Sequence, residues 1–232
     1  MPVPKVDALL FDVQGTATDF YSTVKDAIEC TCPTVDADAL VTRWRAAYFD
    51  AVAATPTDGP VWTTVHSLYR RTLADLLPDF GVALDGQALD DLARAWQTLR
   101  PWPDAVPGLT RLRTRYTLAT LSNADVSAVV RISKLGGLPW DAIFTAEMAR
   151  AFKPSPASYG MAATYLGLPP SRIMMVASHT YDIRAARDLG FATAFVHRPL
   201  EFGAHGRPDV ADDGEFDVHA TDFIDLAAQL GC

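Results

Sequence analysis

Asp12 stands directly after the short apolar run Val6-Asp7-Ala8-Leu9-Leu10-Phe11, and Gly15 follows three residues later. A carboxylate at that place can act as a nucleophile, or it can simply form a turn or cap a helix. Three further groups share its position after an apolar run. Ser122-Asn123 follows the run ending at Leu121, Lys153 lies in Phe152-Lys153-Pro154, and Ser178-His179-Thr180-Tyr181-Asp182 follows Met174-Met175-Val176-Ala177. Each has a plain alternative: Ser122-Asn123 as a helix cap, Lys153 as a solvated surface residue, Asp182 as a first-turn charge favoured by the helix dipole. Together they place two carboxylates, a lysine and small hydroxyl or amide groups where one crevice can gather them. Ligands of open α/β sheets bind there, at the carboxyl ends of the strands.

The elements that must position them are strands without alternation. Continuous apolar runs at Val6–Phe11, Tyr116–Leu121, Ala142–Thr145, Arg172–Ala177 and Ala192–Val196 predict strands buried on both faces. Helical patterns at Asp125–Leu135, Pro156–Leu166 and Tyr181–Leu189 lie between them. That order predicts an α/β fold with a doubly wound parallel sheet. From Thr18 to Trp102 the pattern changes to amphipathic helices, around Ala37–Ala54, Pro60–Leu77 and Gln87–Leu99, with no convincing strand. Breaks fall at Thr55-Pro56-Thr57-Asp58-Gly59-Pro60 and near Phe80-Gly81, and Pro101-Trp102-Pro103 with Pro107-Gly108 reads as the return to the sheet. The expected layout is an α/β core of residues 1–16 and 103–232 with an inserted all-helical cap over 17–102. The polar stretch Glu201–Glu215, with Gly203, Gly206, Pro208 and Gly214, reads as a surface loop before a last helix near Phe223–Leu230.

The chain has 232 residues, 49% of them hydrophobic and 21% charged, with a formal net charge of −8. At a pI near 5.0 the composition argues against a nucleic-acid surface, which needs clustered Lys and Arg. It leaves room for an anionic small molecule in a pocket whose field a few buried cations set. No run of eighteen apolar residues and no signal-peptide pattern is present, so a membrane span is not expected and a cytoplasmic location is. Three cysteines, Cys30, Cys32 and Cys232, fit a reducing compartment, and the Cys30–Cys32 spacing is too close for a usual zinc site. No metal and no cofactor are expected.

The segments Phe11-Asp12-Val13-Gln14-Gly15-Thr16, Leu121-Ser122-Asn123, Phe152-Lys153-Pro154 and Ala177-Ser178-His179-Thr180-Tyr181-Asp182 resemble, in order, the four motifs of the haloacid dehalogenase superfamily. Within it the chain resembles the type II L-2-haloacid dehalogenases: Trp44-Arg45 is similar to that branch's Trp-Arg pair, and Lys153 followed six residues on by Tyr159 to its Lys…Tyr spacing. The resemblance implies that Asp12 attacks C2 of a small 2-substituted carboxylic acid with inversion, forming an aspartyl ester that water then hydrolyses. It implies that Lys153 keeps Asp12 ionised, that Ser122 and Asn123 hold the substrate carboxylate and that Arg45 receives the leaving group. Asp182, with His179, would orient or activate water, while Gln14, Tyr159 and Ser178 would contribute to the substrate pocket.

The phosphatases of the superfamily need a second acid two positions after the nucleophile, which protonates the leaving oxygen beside magnesium. Here that position is Gln14, which cannot donate a proton as an acid, so phosphoryl transfer is the secondary reading. A halide leaves without a proton. The dehalogenase branch commonly carries an aromatic residue where Gln14 stands, and its best-known members carry Asn where His179 stands and Ser where Ala177 stands. A polar Gln14 raises a further alternative, the ring opening of L-azetidine-2-carboxylate by relatives using the same ester route. Trp44, Tyr48, Phe49, Trp62, Trp96 and Trp102 would then offer aromatic faces to the protonated ring nitrogen, or serve as core. A non-catalytic binding module is the remaining alternative, and the apolar side of a cap would allow a homodimer.

Overall fold

The computed structural model describes residues 4–55 and 62–232. The chain opens with β1 (Ala8–Phe11), whose four residues are fully buried. Next come β2 (Thr18–Asp19), α1 (Phe20–Thr31), α2 (Ala37–Ala53), α3 (Val65–Leu76), α4 (Gly86–Ala93) and β3 (Arg100–Pro101). The remainder alternates: α5 (Ala105–Leu112), β4 (Thr117–Ser122), α6 (Val126–Gly136), β5 (Ala142–Thr145), α7 (Ala146–Ala149), α8 (Pro156–Leu166), β6 (Ile173–Ala177), α9 (Thr180–Asp188), β7 (Ala192–Val196), β8 (Val218–Ala220) and α10 (Phe223–Gln229).

Six strands form one parallel sheet in the order β5-β4-β1-β6-β7-β8. The chain leaves β1 towards β4 and β5, then returns to the other side with β6, so the winding reverses beside β1. That is where an open α/β sheet has its ligand crevice. β1 is hydrogen-bonded on both sides, Leu10 standing opposite Ala119 of β4 and Met175 of β6. Its side chains divide between two cores, as the two-residue period of a strand requires. Leu9 and Phe11 join a core with α5, α6 and α10 that continues into α1–α3, whereas Ala8 and Leu10 pack with α8 and α9.

Between β2 and β3 the described elements are helical, with side-chain caps where the sequence supplies them. Asp19 accepts from Ser22 N at 2.9 Å and Asp36 from Ala39 N at 3.0 Å. In α2 the buried residues Leu40, Val41, Trp44, Arg45 and Tyr48 keep the i, i+4, i+8 spacing of one helix face. Arg45 is thereby carried inward with the apolar residues. Among the described residues no helix is long and apolar enough to cross a membrane.

Three readings of the sequence are corrected. The stretch before Trp102 does contain strand, since β2 and β3 pair antiparallel at its base; two residues each are too few to show a pattern. Pro107-Gly108 is not a turn but lies within α5, where proline near the N-terminus forfeits no helical hydrogen bond. Gly108 is there because a Cβ would lie 2.5 Å from the Phe223 backbone. Finally, the 201–215 stretch forms no helix or strand, but it is not all surface: Glu201 is fully buried. The break at Pro56–Pro60 and the start of the helix read from Pro60 lie outside the described residues.

Candidate active site

Asp12 extends β1 by one hydrogen bond, its N–H donating to Val176 O at 3.0 Å. The chain then turns sharply through Gly15, at φ +98°, a left-handed conformation that favours glycine. The turn brings Thr16 back so that its Oγ1 donates to Asp12 Oδ2 at 2.9 Å. On the other carboxylate oxygen, Oδ1 accepts from Lys153 Nζ at 3.0 Å and Ser122 Oγ at 3.3 Å. His179 Nδ1 faces Oδ2 at 3.4 Å. Burial alone would raise the Asp12 pKa, but Lys153 and His179 outweigh it and hold the carboxyl well below its usual range.

Lys153 is fixed through its backbone. Asn123 Oδ1 accepts from Lys153 N at 2.7 Å and Asn123 Nδ2 donates to Lys153 O at 3.1 Å. The Lys153 ammonium also donates to Asp182 Oδ2, and Tyr159 OH donates to Asp182 Oδ1 at 2.6 Å. Burial disfavours the ammonium, yet the two carboxylates beside it push its pKa upward. Burial raises the carboxyl of Asp182, which is fully enclosed.

Arg45 enters from α2, 5% exposed. Its Nη1 donates to Tyr69 OH at 2.5 Å and Gln14 Oε1 at 3.2 Å, and its Nε is buried without a partner among the described residues. The guanidinium lies 4.7 Å from the ring centres of Phe20 and Phe49, 5.3 Å from Trp96 and 5.4 Å from Tyr48. An aromatic cage is therefore present, and Arg45 fills it.

Of the residues predicted from sequence, Asp12, Gln14, Arg45, Ser122, Asn123, Lys153 and His179 line one small cavity, completed by Tyr48, Phe49 and Tyr181. Asp182, Tyr159 and Ser178 stand behind it, Asp182 and Tyr159 on Lys153 and Ser178 on Thr16 and Glu201. Of the predicted aromatic residues, Trp44 and Trp96 are core, Trp96 stacked on Tyr69 and Trp44 edge-on to both, and Trp62 packs on Phe152. Trp102 donates to Gly15 O at 2.8 Å and so braces the turn after Asp12. Glu201 was not foreseen. Its Oε1 pairs with His179 Nε2 at 2.6 Å and its Oε2 accepts from Ser178 Oγ at 3.1 Å. Burial lowers the imidazole's pKa, but Glu201 and Asp12 raise it to about 10.

Such a site can use Asp12 as a permanently ionised nucleophile and take up an anion near Arg45. Magnesium suits it poorly. The polar groups facing Asp12 are an ammonium, an imidazolium and hydroxyls rather than oxygen anions, and Asp182 is turned to Lys153 and Tyr159. Among the described residues no group of three His, Cys, Asp or Glu is arranged to hold a metal ion.

The sequence profile of the haloacid dehalogenase-like hydrolases matches residues 6–190. The chain is 30% identical over 195 residues to an (S)-2-haloacid dehalogenase of Xanthobacter autotrophicus, covering 83% of this chain and 76% of that protein. A solved defluorinating L-2-haloacid dehalogenase superposes with a TM-score of 0.93 at 40% identity, over 98% of this chain and 96% of the other. The L-2-haloacid dehalogenase from Xanthobacter autotrophicus with chloropropionic acid covalently bound superposes with a TM-score of 0.85 at 26% identity, over 97% and 98% of the two chains.

Proposed function

Since the chain belongs to the haloacid dehalogenase-like hydrolases, we propose that it is an (S)-2-haloacid dehalogenase whose nucleophile is Asp12. The observation that carries this reading is the pairing of two opposite groups across one buried cavity: an ionised Asp12, and Arg45 with no carboxylate hydrogen-bonded to it among the described residues. A buried cation costs several kcal/mol when unpaired, and a departing halide supplies the missing charge. Asp12 attacks C2 from the side opposite the halide, the carbon–halogen bond breaks, and C2 inverts. Water then attacks the ester carbonyl of Asp12 and releases the 2-hydroxy acid.

Charge balance supports the order of events. Asp12, Asp182 and Glu201 are matched by Lys153, His179 and Arg45, and alkylation of Asp12 removes one negative charge as the halide supplies another. Displacement thus exchanges one anion for another within the site and does not accumulate charge in a dry cavity. The helical stretch 17–102 acts as the cap that closes this cavity, contributing Arg45, Tyr48 and Phe49. Gln14, the residue on which a ring-nitrogen substrate was argued, accepts from Arg45 and Tyr69. Of the aromatic faces that would hold a second cation, Tyr48, Phe49 and Trp96 surround Arg45, which favours the halide.

Incubation with (S)-2-chloropropanoate should release chloride, and rapid acid quenching should give a covalent adduct on the peptide containing Asp12. Chloride release with the adduct on another residue would overturn the assignment of the nucleophile; no release from any 2-halo acid would overturn the function.

A further inference from the structure

His179 is held between two carboxylates, with Nε2 on Glu201 Oε1 at 2.6 Å and Nδ1 facing Asp12 Oδ2 at 3.4 Å. Only one of the two survives the displacement as an anion. Glu201 is built in deliberately: it is fully buried, its second oxygen accepts from Ser178, and it occupies space that only a glycine at position 15 leaves free. A Cβ on Gly15 would sit 2.2 Å from Glu201 Oε1 and 3.2 Å from His179 Cε1. By contrast, Asp182 has both oxygens committed to Lys153 and Tyr159 and lies behind the cavity. His179 itself lines the cavity.

Building on the aspartyl-ester reading above, we propose that alkylation of Asp12 is what converts His179 into the base for ester hydrolysis, and that Glu201 is the positioning residue that fixes the imidazole with Nδ1 towards the ester. In the resting site His179 is an imidazolium, donating from Nε2 to Glu201 and presenting its Nδ1 proton to Asp12. Once Asp12 becomes a neutral ester, that proton loses its partner and passes to solvent. It is the one proton that conversion of a halo acid and water to hydroxy acid and halide must release. As water attacks the ester carbonyl, a bond forms between the water oxygen and Asp12 Cγ, and Nδ1 takes a water proton. The tetrahedral intermediate then collapses: the Cγ–O bond to the substrate breaks, and its electron pair leaves on the alkoxide. The intermediate's hydroxyl proton passes to that alkoxide, and the Asp12 carboxylate re-forms beside an imidazolium.

The other charged or titratable groups near His179 are Lys153, Asp182 and Arg45, together with Tyr181, whose ring lies 5.8 Å from the imidazole. Lys153 faces the same carboxylate but keeps Asp182 as its partner, so the change of charge at Asp12 falls chiefly on the imidazole. A base that is idle while Asp12 is an anion cannot draw water onto the substrate before the displacement.

The test separates the two half-reactions in Glu201→Gln, an isosteric change, using (S)-2-chloropropanoate. Chloride release in the first turnover should match the enzyme concentration and stay within a few-fold of the wild-type rate. Turnover should then fall about a hundred-fold or more, the usual worth of a general base, with the ester visible by intact mass. In wild type the decay of the ester should rise with pH to a plateau; in Glu201→Gln the inflection should move to lower pH, because an anion that favours the imidazolium is gone. His179→Gln should also accumulate ester and should lose the inflection. If Glu201→Gln does not fold by circular dichroism, the ester build-up in His179→Gln and in Glu201→Asp decides the matter. Alkylation slowed as much as turnover, or an unmoved inflection, would overturn the proposal. Absence of chloride release or adduct in wild type would instead refute the dehalogenase reading on which it rests.

Discussion

Gln14→Leu is the change that most directly tests how the cavity captures its leaving group. Gln14 Oε1 accepts from Arg45 Nη1 at 3.2 Å and from Tyr69 OH at 3.3 Å, so the carboxamide acts on the guanidinium and not on a ligand. A hydrogen bond to a charged group contributes about 1.5–3 kcal/mol. Here the bond is long, and Arg45 keeps its 2.5 Å contact with Tyr69 and its four ring neighbours. The lower end therefore applies, roughly a ten-fold loss in kcat/KM at about 1.4 kcal/mol per decade. Halide release from (S)-2-chloro- and (S)-2-bromopropanoate measures it, and chloride, the poorer leaving group, should suffer more. The decisive comparison is a double-mutant cycle with Arg45→Lys. If Gln14 works through Arg45, the second change costs little once the first is made. Losses that add within about 0.3–0.5 kcal/mol, or equal losses for both halides, would refute the reasoning.

Asp12→Asn should abolish displacement, and single-turnover hydrolysis in oxygen-18 water should place the label in Asp12, as mass spectrometry of its peptide will show; label going straight to product would mean direct attack by water. Exhaustive EDTA treatment should leave chloride release unchanged, whereas a loss restored by magnesium would contradict the donor set around Asp12. His179, raised from 6.5 to about 10, contributes stability that is fully present below pH 6.5 and lost as pH rises towards 10. Urea titrations should show wild type weakening over that window, and His179→Gln weakening less. Asp125→Ala removes a carboxylate that accepts from Val65 N and His66 N at 2.8 Å each, at the start of α3. It should cost about 1–2 kcal/mol in urea denaturation, in the range of a lost helix cap, and should raise KM by loosening α3 over the site.

The parts of this molecule visible in the sequence are those where burial is continuous or where strand ends fall in chain order. The run through Leu9, Leu10 and Phe11 is apolar on both faces because β1 has a packed layer on each side, and Asp12, Ser122 and Ser178 could be placed together because parallel strands end on one edge. Arg45 was found by its neighbour Trp44 and the resemblance that pair carries, not by periodicity, which would put a charge on such a face in error. Glu201 escaped because it sits among glycines and prolines with no period, and only its distant partners bury it. Gly15 held the clue: beside Asp12, a missing Cβ leaves space that another side chain must fill. The α5 helix was hidden by Pro107-Gly108, a dipeptide that usually marks a turn, and the explanation for Gly108, the close passage of Phe223, comes from the far end of the chain.

The two charges that face each other across the cavity are rooted in parts of unlike firmness. Asp12 hangs from the middle strand of six, clasped by β4 and β6, and its amides should exchange with deuterium only when the whole sheet opens. Arg45 rides on α2, which packs mainly against α1 and α3 and is tied to the sheet side by Tyr48 OH on Asn123 O. Warming should therefore detach Arg45 before it disturbs Asp12, since local openings need less free energy than global ones. Thermal inactivation would then begin as a sharper discrimination between leaving groups, with bromide still released and chloride retained, several degrees before circular dichroism registers any melting.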